Sequence, residues 1–303
     1  MRALITGGRG FVGTWLAGHL IDEGDTVVAI DQETDVADPA ALGPVVAEAA
    51  PDVIYHLAAL THVGESWNDP SEVLRVNVLG TAAVLAAARS LPNNPTVLVV
   101  SSAEVYGIVG EGDLPLTEGS PVAPATPYAA SKAAAEQVAM QAWRGFGQPV
   151  LVARPFNHIG PGQAPTFAVS ALARRIVEAR RAGGTSLSVG TLSTRRDFTD
   201  VRDVVRAYRR LVESGTPGET YNVCSGHDVS IGEIAEQLGS LSGADLALVT
   251  DPALVRPVDI PVLRGSPALL ERTTGWRPEI ALEDTLRAVL SYWEEQLSLD
   301  GAD

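Results

Sequence analysis

Tyr128 and Lys132 stand four residues apart in Pro127-Tyr128-Ala129-Ala130-Ser131-Lys132. On a helix that spacing puts both side chains on one face. An ammonium beside a phenol favours the phenolate and lowers the tyrosine pKa toward working pH. Such a tyrosine can pass a proton to or from a hydroxyl or carbonyl while hydride moves to or from a nicotinamide. Ser102, in Val100-Ser101-Ser102-Ala103-Glu104, can hydrogen-bond the same oxygen. The bland reading is a surface Tyr/Lys pair. With six tyrosines and a single lysine in 303 residues, chance places that lysine at such a spacing roughly 2% of the time.

A second group is Gly7-Gly8-Arg9-Gly10-Phe11-Val12-Gly13. Glycines spaced G-x-x-G-x-x-G permit a tight turn, close backbone approach to a pyrophosphate and close helix-strand packing. A helix opening there offers free N–H groups to phosphates. Asp31 follows the next apolar run and can accept both ribose hydroxyls of NAD while repelling the 2′-phosphate of NADP. Arg9 pulls the other way, since an arginine in this loop could meet that phosphate. A packing-only glycine turn is the alternative.

These residues need a scaffold, and the chain spells one. Ala3–Thr6, Thr26–Asp31, Asp52–His56, Thr96–Ser101 and Pro149–Arg154 read as near-continuously apolar strands. Phe11–Glu23, Ala40–Ala50, Ser71–Ser90 and Tyr128–Phe146 read as helices between them. This alternation implies an α/β fold, a Rossmann-type doubly wound parallel sheet. Ligands of such sheets bind at the carboxyl ends of the strands. Further on, Val201–Glu213, Ser230–Leu241 and Leu282–Glu295 read as helices, and Asp251–Pro267, with four prolines, as an extended segment. The expectation is a dinucleotide-binding domain of residues 1–162 and 197–226, with a smaller C-terminal α/β substrate lobe of residues 163–196 and 227–303.

Composition narrows the partners. The charge is −15 and hydrophobic residues make up 46%, which suits a globular chain and argues against a nucleic-acid or anionic-membrane surface. Small anions remain open, because a few arginines can build a local positive pocket. The 22 basic residues include one lysine, so 21 are arginine. Cys224 is the single cysteine, so no internal disulfide forms, and no Cys/His cluster has metal spacing. The N-terminus lacks a signal-peptide apolar core and no run reaches the ~18 residues of a membrane span. A cytoplasmic protein is expected.

Taken together, these motifs resemble the extended short-chain dehydrogenases/reductases, the NAD-dependent epimerase/dehydratase family of nucleotide-sugar enzymes. The resemblance covers essentially the whole chain. It implies Ser102, Tyr128 and Lys132 as the catalytic triad, with Lys132 also bonding the nicotinamide ribose. It implies Gly7, Gly10, Phe11, Val12 and Gly13 at the pyrophosphate, Asp31 at the ribose, and Asp35 with Val36 at the adenine. Leu57, Ala58, Ala59, Asn77 and Pro155 complete the cofactor set, for NAD(H) with NADP(H) as the alternative.

The later motifs are Arg154-Pro155-Phe156-Asn157-His158-Ile159-Gly160-Pro161-Gly162-Gln163, Arg196-Asp197-Phe198-Thr199-Asp200, Arg256-Pro257 and Thr274-Gly275-Trp276-Arg277-Pro278. These resemble the GDP-6-deoxy-4-keto-mannose reductases, which form GDP-rhamnose, and the related GDP-mannose 4,6-dehydratases. The resemblance places Asn157 at the sugar or first phosphate and Arg196 and Arg256 at the diphosphate of a nucleotide-diphosphate sugar. An Arg196 salt bridge to Asp197 or Asp200 is the alternative. His62 and Glu104 complete the substrate set, against structural roles for both.

Dehydratases resembling this chain carry an acid or serine where Ala103 stands between Ser102 and Glu104. Removing water across C5–C6 needs a general acid and a base, and alanine supplies neither. The short stretch Gln32-Glu33-Thr34 also fits a reductase. Asp31 favours NAD(H), which keeps an epimerase or dehydratase with tightly bound NAD as the second reading and a cofactor-sensing regulator as the third. Apolar residues beyond one stripe on Ser71–Ser90 and Tyr128–Phe146, among them Val138, Met140 and Trp143, suggest a homodimer through a four-helix bundle.

Overall fold

The strands of the first half carry apolar side chains on both faces, and in the central ones each face finds its own layer. The computed structural model describes residues 1–244, 246–251 and 260–299. Its first elements are β1 (Arg2–Thr6), α1 (Phe11–Asp22), β2 (Thr26–Ile30), α2 (Pro39–Ala49), β3 (Val53–His56), α3 (Pro70–Leu74), α4 (Gly80–Arg89), β4 (Thr96–Val100), α5 (Pro127–Phe146) and β5 (Val150–Pro155). Then come β6 (Asn157–Ile159), α6 (Ala168–Arg181), β7 (Ser186–Val189), β8 (Arg195–Asp200), α7 (Val201–Ser214) and β9 (Thr220–Val223). The chain continues through β10 (Asp228–Ser230), α8 (Ile231–Ser242), β11 (Ala247–Thr250), β12 (Val262–Leu263), α9 (Ala268–Thr274) and α10 (Leu282–Leu299).

Six strands form one sheet in the order β2-β1-β3-β4-β5-β9, each neighbouring pair parallel. Within β1, Ala3 and Ile5 face α1 and α7, where Leu16, Leu20, Val204 and Leu211 are buried. Leu4 faces the opposite layer of α2, α4 and α5, with Leu42, Val46, Val84 and Met140. The chain leaves β1 toward β2 on one side and returns to β3 on the other. That reversal opens a crevice at the strand ends, where ligands of doubly wound sheets sit.

The helix over 70–89 contains a π-type turn at Arg75–Leu79 between α3 and α4. The run is 20 residues long with mean hydropathy 1.3, enough by length and composition to cross a membrane, yet it packs on α2 and α5 as a core helix. Met140 is buried in the core, and Val138 packs against the same cluster. Trp143, by contrast, remains 36% exposed.

The smaller lobe is built on β10-β8-β12, with β6 also pairing β8, and on a β11-β7 pair. Helices α6, α8 and α10 bury Leu172, Ile176, Ile234, Leu238, Val289 and Trp293 against Phe198 and Val189. The boundary expected at 196/197 falls inside β8. Asn157–Ile159 already pairs with Phe198–Asp200, because the chain leaving β5 crosses directly onto the small sheet. Helices α6 and α9 and strands β6 to β11 lie outside the elements read from the sequence, whereas β12 falls in the segment 251–267 expected to be extended, of which residues 252–259 lie outside the described residues. The α6 signal was present, since Val169, Leu172, Ala173, Ile176 and Val177 follow helical spacing.

Candidate active site

The glycine turn is forced by close packing. Gly7 has φ +71, and a Cβ there would lie 2.9 Å from the Ala58 nitrogen at the start of the loop after β3. A Cβ on Gly13 would lie 2.2 Å from the Gly7 carbonyl oxygen, so only glycine lets α1 approach this turn. Gly10 caps α1 in an extended conformation, with no side chain bonding the first N–H groups. Those donors open into a cleft of about 1040 Å³, lined by Gly7, Gly10, Phe11, Val12 and Gly13. The size is at the upper end of the usual ~300–1,000 Å³ of a small-molecule site. Uncapped donors at a bare glycine turn fit a dinucleotide pyrophosphate.

The cleft floor is tied together beneath the glycine loop. His56 is fully buried between the Thr6 and Thr81 hydroxyls, at 2.8 and 3.0 Å. Burial, with a smaller contribution from the Lys132 charge, pushes its pKa down to about 3, so it remains neutral. Thr6 Oγ1 also accepts from the Ala58 N–H at 3.2 Å, joining β1 to the loop after β3. Leu57, Ala58 and Ala59 line the cleft there, as do Asp31, Asp35 and Val36 after β2. Asn77, expected among the cofactor contacts, does not line it. Its amide instead holds both backbone groups of Leu60 and the Ser131 hydroxyl, placing it one layer behind the wall.

Helix α5 sets the reacting groups. Thr126 accepts from the Ala129 N–H at 3.1 Å and Pro127 occupies the first turn, a combination that fixes where a helix begins. Tyr128 follows at once and brings its phenol beside the Ser102 hydroxyl. Lys132 lies one turn further on, its Nζ donating to the Val100 carbonyl at 2.8 Å. All three side chains reach the cleft, together with Glu104, Pro155, Asn157, His62 and Arg196.

The electrostatics correct one expectation. The Tyr128 pKa is not lowered. Burial pushes it up to about 12, the neighbouring Ser102 hydroxyl opposes this, and the Glu104 charge adds to it. Burial also pushes Lys132 down to about 8, against the Glu136 charge, which raises it. The lysine is aimed at the β4 carbonyl rather than at the phenol. Tyr128 is therefore a phenol that holds its proton, suited to giving one up only to a strongly basic oxygen.

At the far end, the buried Arg196 side chain donates to the carbonyls of Arg195 and Ile260, at 2.9 and 2.6 Å. The alternative carboxylates are engaged elsewhere. Asp200 takes Arg202 and Thr285, while Asp197 takes Ser225 and the N–H groups of Gly226 and Gly265. Arg256 lies outside the described residues. His62 accepts from the Glu65 N–H and leans on Phe167, so it has a structural duty as well as a place at the cleft. Glu104 accompanies it at the wall, its N–H donating to Ser102 Oγ at 3.2 Å.

Sequence reasoning missed the support of this site. Glu136 receives Arg154 through two bonds, at 2.8 and 2.7 Å, and the Ser101 hydroxyl at 2.5 Å. Arg154 also donates to the Tyr106 hydroxyl, which donates to Asn222. This buried chain links β4, α5, β5 and β9 directly behind the triad. Only the Glu136 position, one turn beyond Lys132, was readable as a helical neighbour.

The fold and the cleft define an extended short-chain dehydrogenase/reductase. Residues 32–289 match the family model described as GDP-mannose 4,6 dehydratase, and the chain belongs to that family. It is similar to the GDP-6-deoxy-D-mannose reductase of Pseudomonas aeruginosa, 41% identical over 98% of each chain. Among solved structures it resembles RMD from Pseudomonas aeruginosa complexed with NADPH, with a TM-score of 0.91, 40% identity and coverage of 98% of this chain and 100% of that one. It also resembles the UDP-glucose 4-epimerase of Thermus thermophilus in complex with NAD, with a TM-score of 0.87, 28% identity and coverage of 97% and 99%.

Proposed function

We propose that this chain is an NAD(P)H-dependent 4-ketoreductase acting on a nucleotide-linked 4-keto-6-deoxy sugar, with GDP as the carrier. The observation that carries the reading is the Tyr128–Ser102 pair beside Lys132, with a buried alanine at position 103. Ala103 packs among Val105, Tyr106, Phe156 and Leu263, and its methyl group supplies neither an acid nor a base at that position. Likeness to a GDP-6-deoxy-D-mannose reductase along nearly the full chain supports the same reaction.

The uncapped turn of α1 would hold the dinucleotide pyrophosphate, and Asp31 the adenosine ribose. A bound reduced nicotinamide supplies the hydride. This chain's residues then manage the oxygen. Ser102 hydrogen-bonds the C4 oxygen and Tyr128 gives it a proton as negative charge develops. An alkoxide is far more basic than a phenolate, so transfer from a phenol with pKa about 12 runs downhill. Lys132 would bond the nicotinamide ribose, and its charge would stabilise the phenolate left behind. Asn157, which lines the cleft, meets the sugar or first phosphate. Arg196 serves the substrate diphosphate, since a guanidinium matches phosphate oxygens.

The test is direct. Incubation with GDP-4-keto-6-deoxy-mannose and NADH or NADPH should oxidise the cofactor and yield the reduced sugar. GDP-mannose with NAD should give no dehydrated product; formation of the 4-keto sugar there would overturn the reading.

We also assign the enzyme to the cytoplasm, where nucleotide sugars and reduced thiols such as the buried Cys224 occur together. A lobe centred on β8 would carry the sugar nucleotide. Leu79, Trp143 and Phe146 are exposed on the helices 75–89 and 127–146, which supports a homodimer through those faces. Sizing should give twice the 31.7 kDa chain mass across concentrations; monomer mass throughout would contradict the dimer.

A further inference from the structure

The adenosine end of the cleft carries an arrangement of charges that hydride and proton transfer do not use. Asp31 lies at its wall with Gln32 and Asp35. Its carboxylate is oriented from both sides, accepting from the Arg9 N–H at 2.8 Å and the Gln32 N–H at 2.9 Å. That leaves lone pairs directed to ribose hydroxyls. The Arg9 side chain comes from the glycine turn itself, yet neither Arg9 nor Glu33 lines the cleft. The Arg9 guanidinium is paired with Glu33. Glu33 is itself anchored, because its other oxygen accepts from the Asp31 N–H at 3.0 Å. Arg75, a second cation at this end, is held by Asp35 at 2.8 Å and Glu72 at 2.7 Å.

We propose that Glu33 sets the choice between the two nicotinamide dinucleotides by holding the Arg9 guanidinium away from the place of a ribose 2′-phosphate. The inference rests on the dinucleotide reading of the cleft. Discrimination has two parts. Asp31 repels the 2′-phosphate, and Glu33 denies that phosphate the cation that could neutralise it. Relatives of this chain are seen with NADPH and with NAD, so the choice is made by local residues rather than by the fold. Backbone N–H groups of Glu33 and Asp31, and then Arg9, hold the Glu33 carboxyl below the usual carboxylate range, which keeps it charged near neutral pH.

Glu33→Gln isolates the effect. Glutamine keeps an acceptor for the Asp31 N–H and loses the charge that retains Arg9. Calorimetric titration of NADH and NADPH into wild type, Glu33→Gln and the double variant Arg9→Met/Glu33→Gln separates the explanations. Wild type should bind NADH more tightly. Glu33→Gln should tighten NADPH up to about fivefold, the scale of the exposed ion pair that no longer competes for Arg9, and leave NADH within about twofold. The double variant should lose that gain. An unchanged NADPH affinity in Glu33→Gln, a gain that survives removal of Arg9, or a wild type that already prefers NADPH overturns the inference. A wild type that binds NADH normally in those cases leaves the dinucleotide reading standing, whereas one that binds neither dinucleotide overturns both.

Discussion

Tyr128→Phe should lower kcat for ketone reduction by at least ~10² while NADH still binds within a few-fold of wild type. Phenylalanine fills the same space on α5 and keeps the helix start at Thr126 and Pro127. It removes only the hydroxyl that lies beside Ser102 and would protonate the nascent oxyanion. Stopped-flow reduction with saturating NADH reads the loss, and unchanged turnover would take Tyr128 out of the mechanism. The pH profile of the wild type carries the same argument. Tyr128, pushed up to about 12, keeps its proton throughout the working range and does not limit the rate there. Lys132, pushed down to about 8, is cationic below that value and loses its charge above it. The rate should therefore fall as pH rises through about 8. In Tyr128→Phe the phenolate that the ammonium stabilises is gone, and this fall should flatten.

Arg154→Met should destabilise the protein by ~3–5 kcal/mol, because it strands the Glu136 carboxylate without its cation. The pair is deeply buried, with side-chain exposures of 7% and 3%. Against a usual total of ~5–15 kcal/mol, this is the largest single loss expected outside the glycine turn. Urea unfolding measures the loss. Adding Glu136→Leu should restore part of the stability, since the stranded charge is then removed. A single variant as stable as wild type at neutral pH would show that the pair contributes nothing to the fold behind Ser101 and Lys132.

The sheet was legible because its code is local. Alternating apolar runs and Ala-rich helices place β1 to β5, α1, α2 and α5 within a residue or two, and read α3 and α4 as one helix. The glycine spacing placed the turn whose crowding the structure then shows. The small lobe was less legible, because its strands are short and pair across distant segments. Arg195–Asp200, for instance, takes partners from 157–159, 228–230 and 262–263.

By itself the sequence determined the identities that chemistry requires: a tyrosine and the chain's only lysine one turn apart, serine at the preceding strand end, glycines at the turn, and alanine at 103. Spacing along a helix or at a strand end is set by bonds between near neighbours, so it survives without tertiary knowledge. Tertiary structure alone decided the charge states and the alignments. Burial raised Tyr128 where an adjacent ammonium had been expected to lower it, and a strand carbonyl captured Lys132. Glu136 found Arg154, and Glu33 found Arg9. Those outcomes depend on desolvation and on which distant groups share a cavity wall, and neither quantity is written in the order of residues.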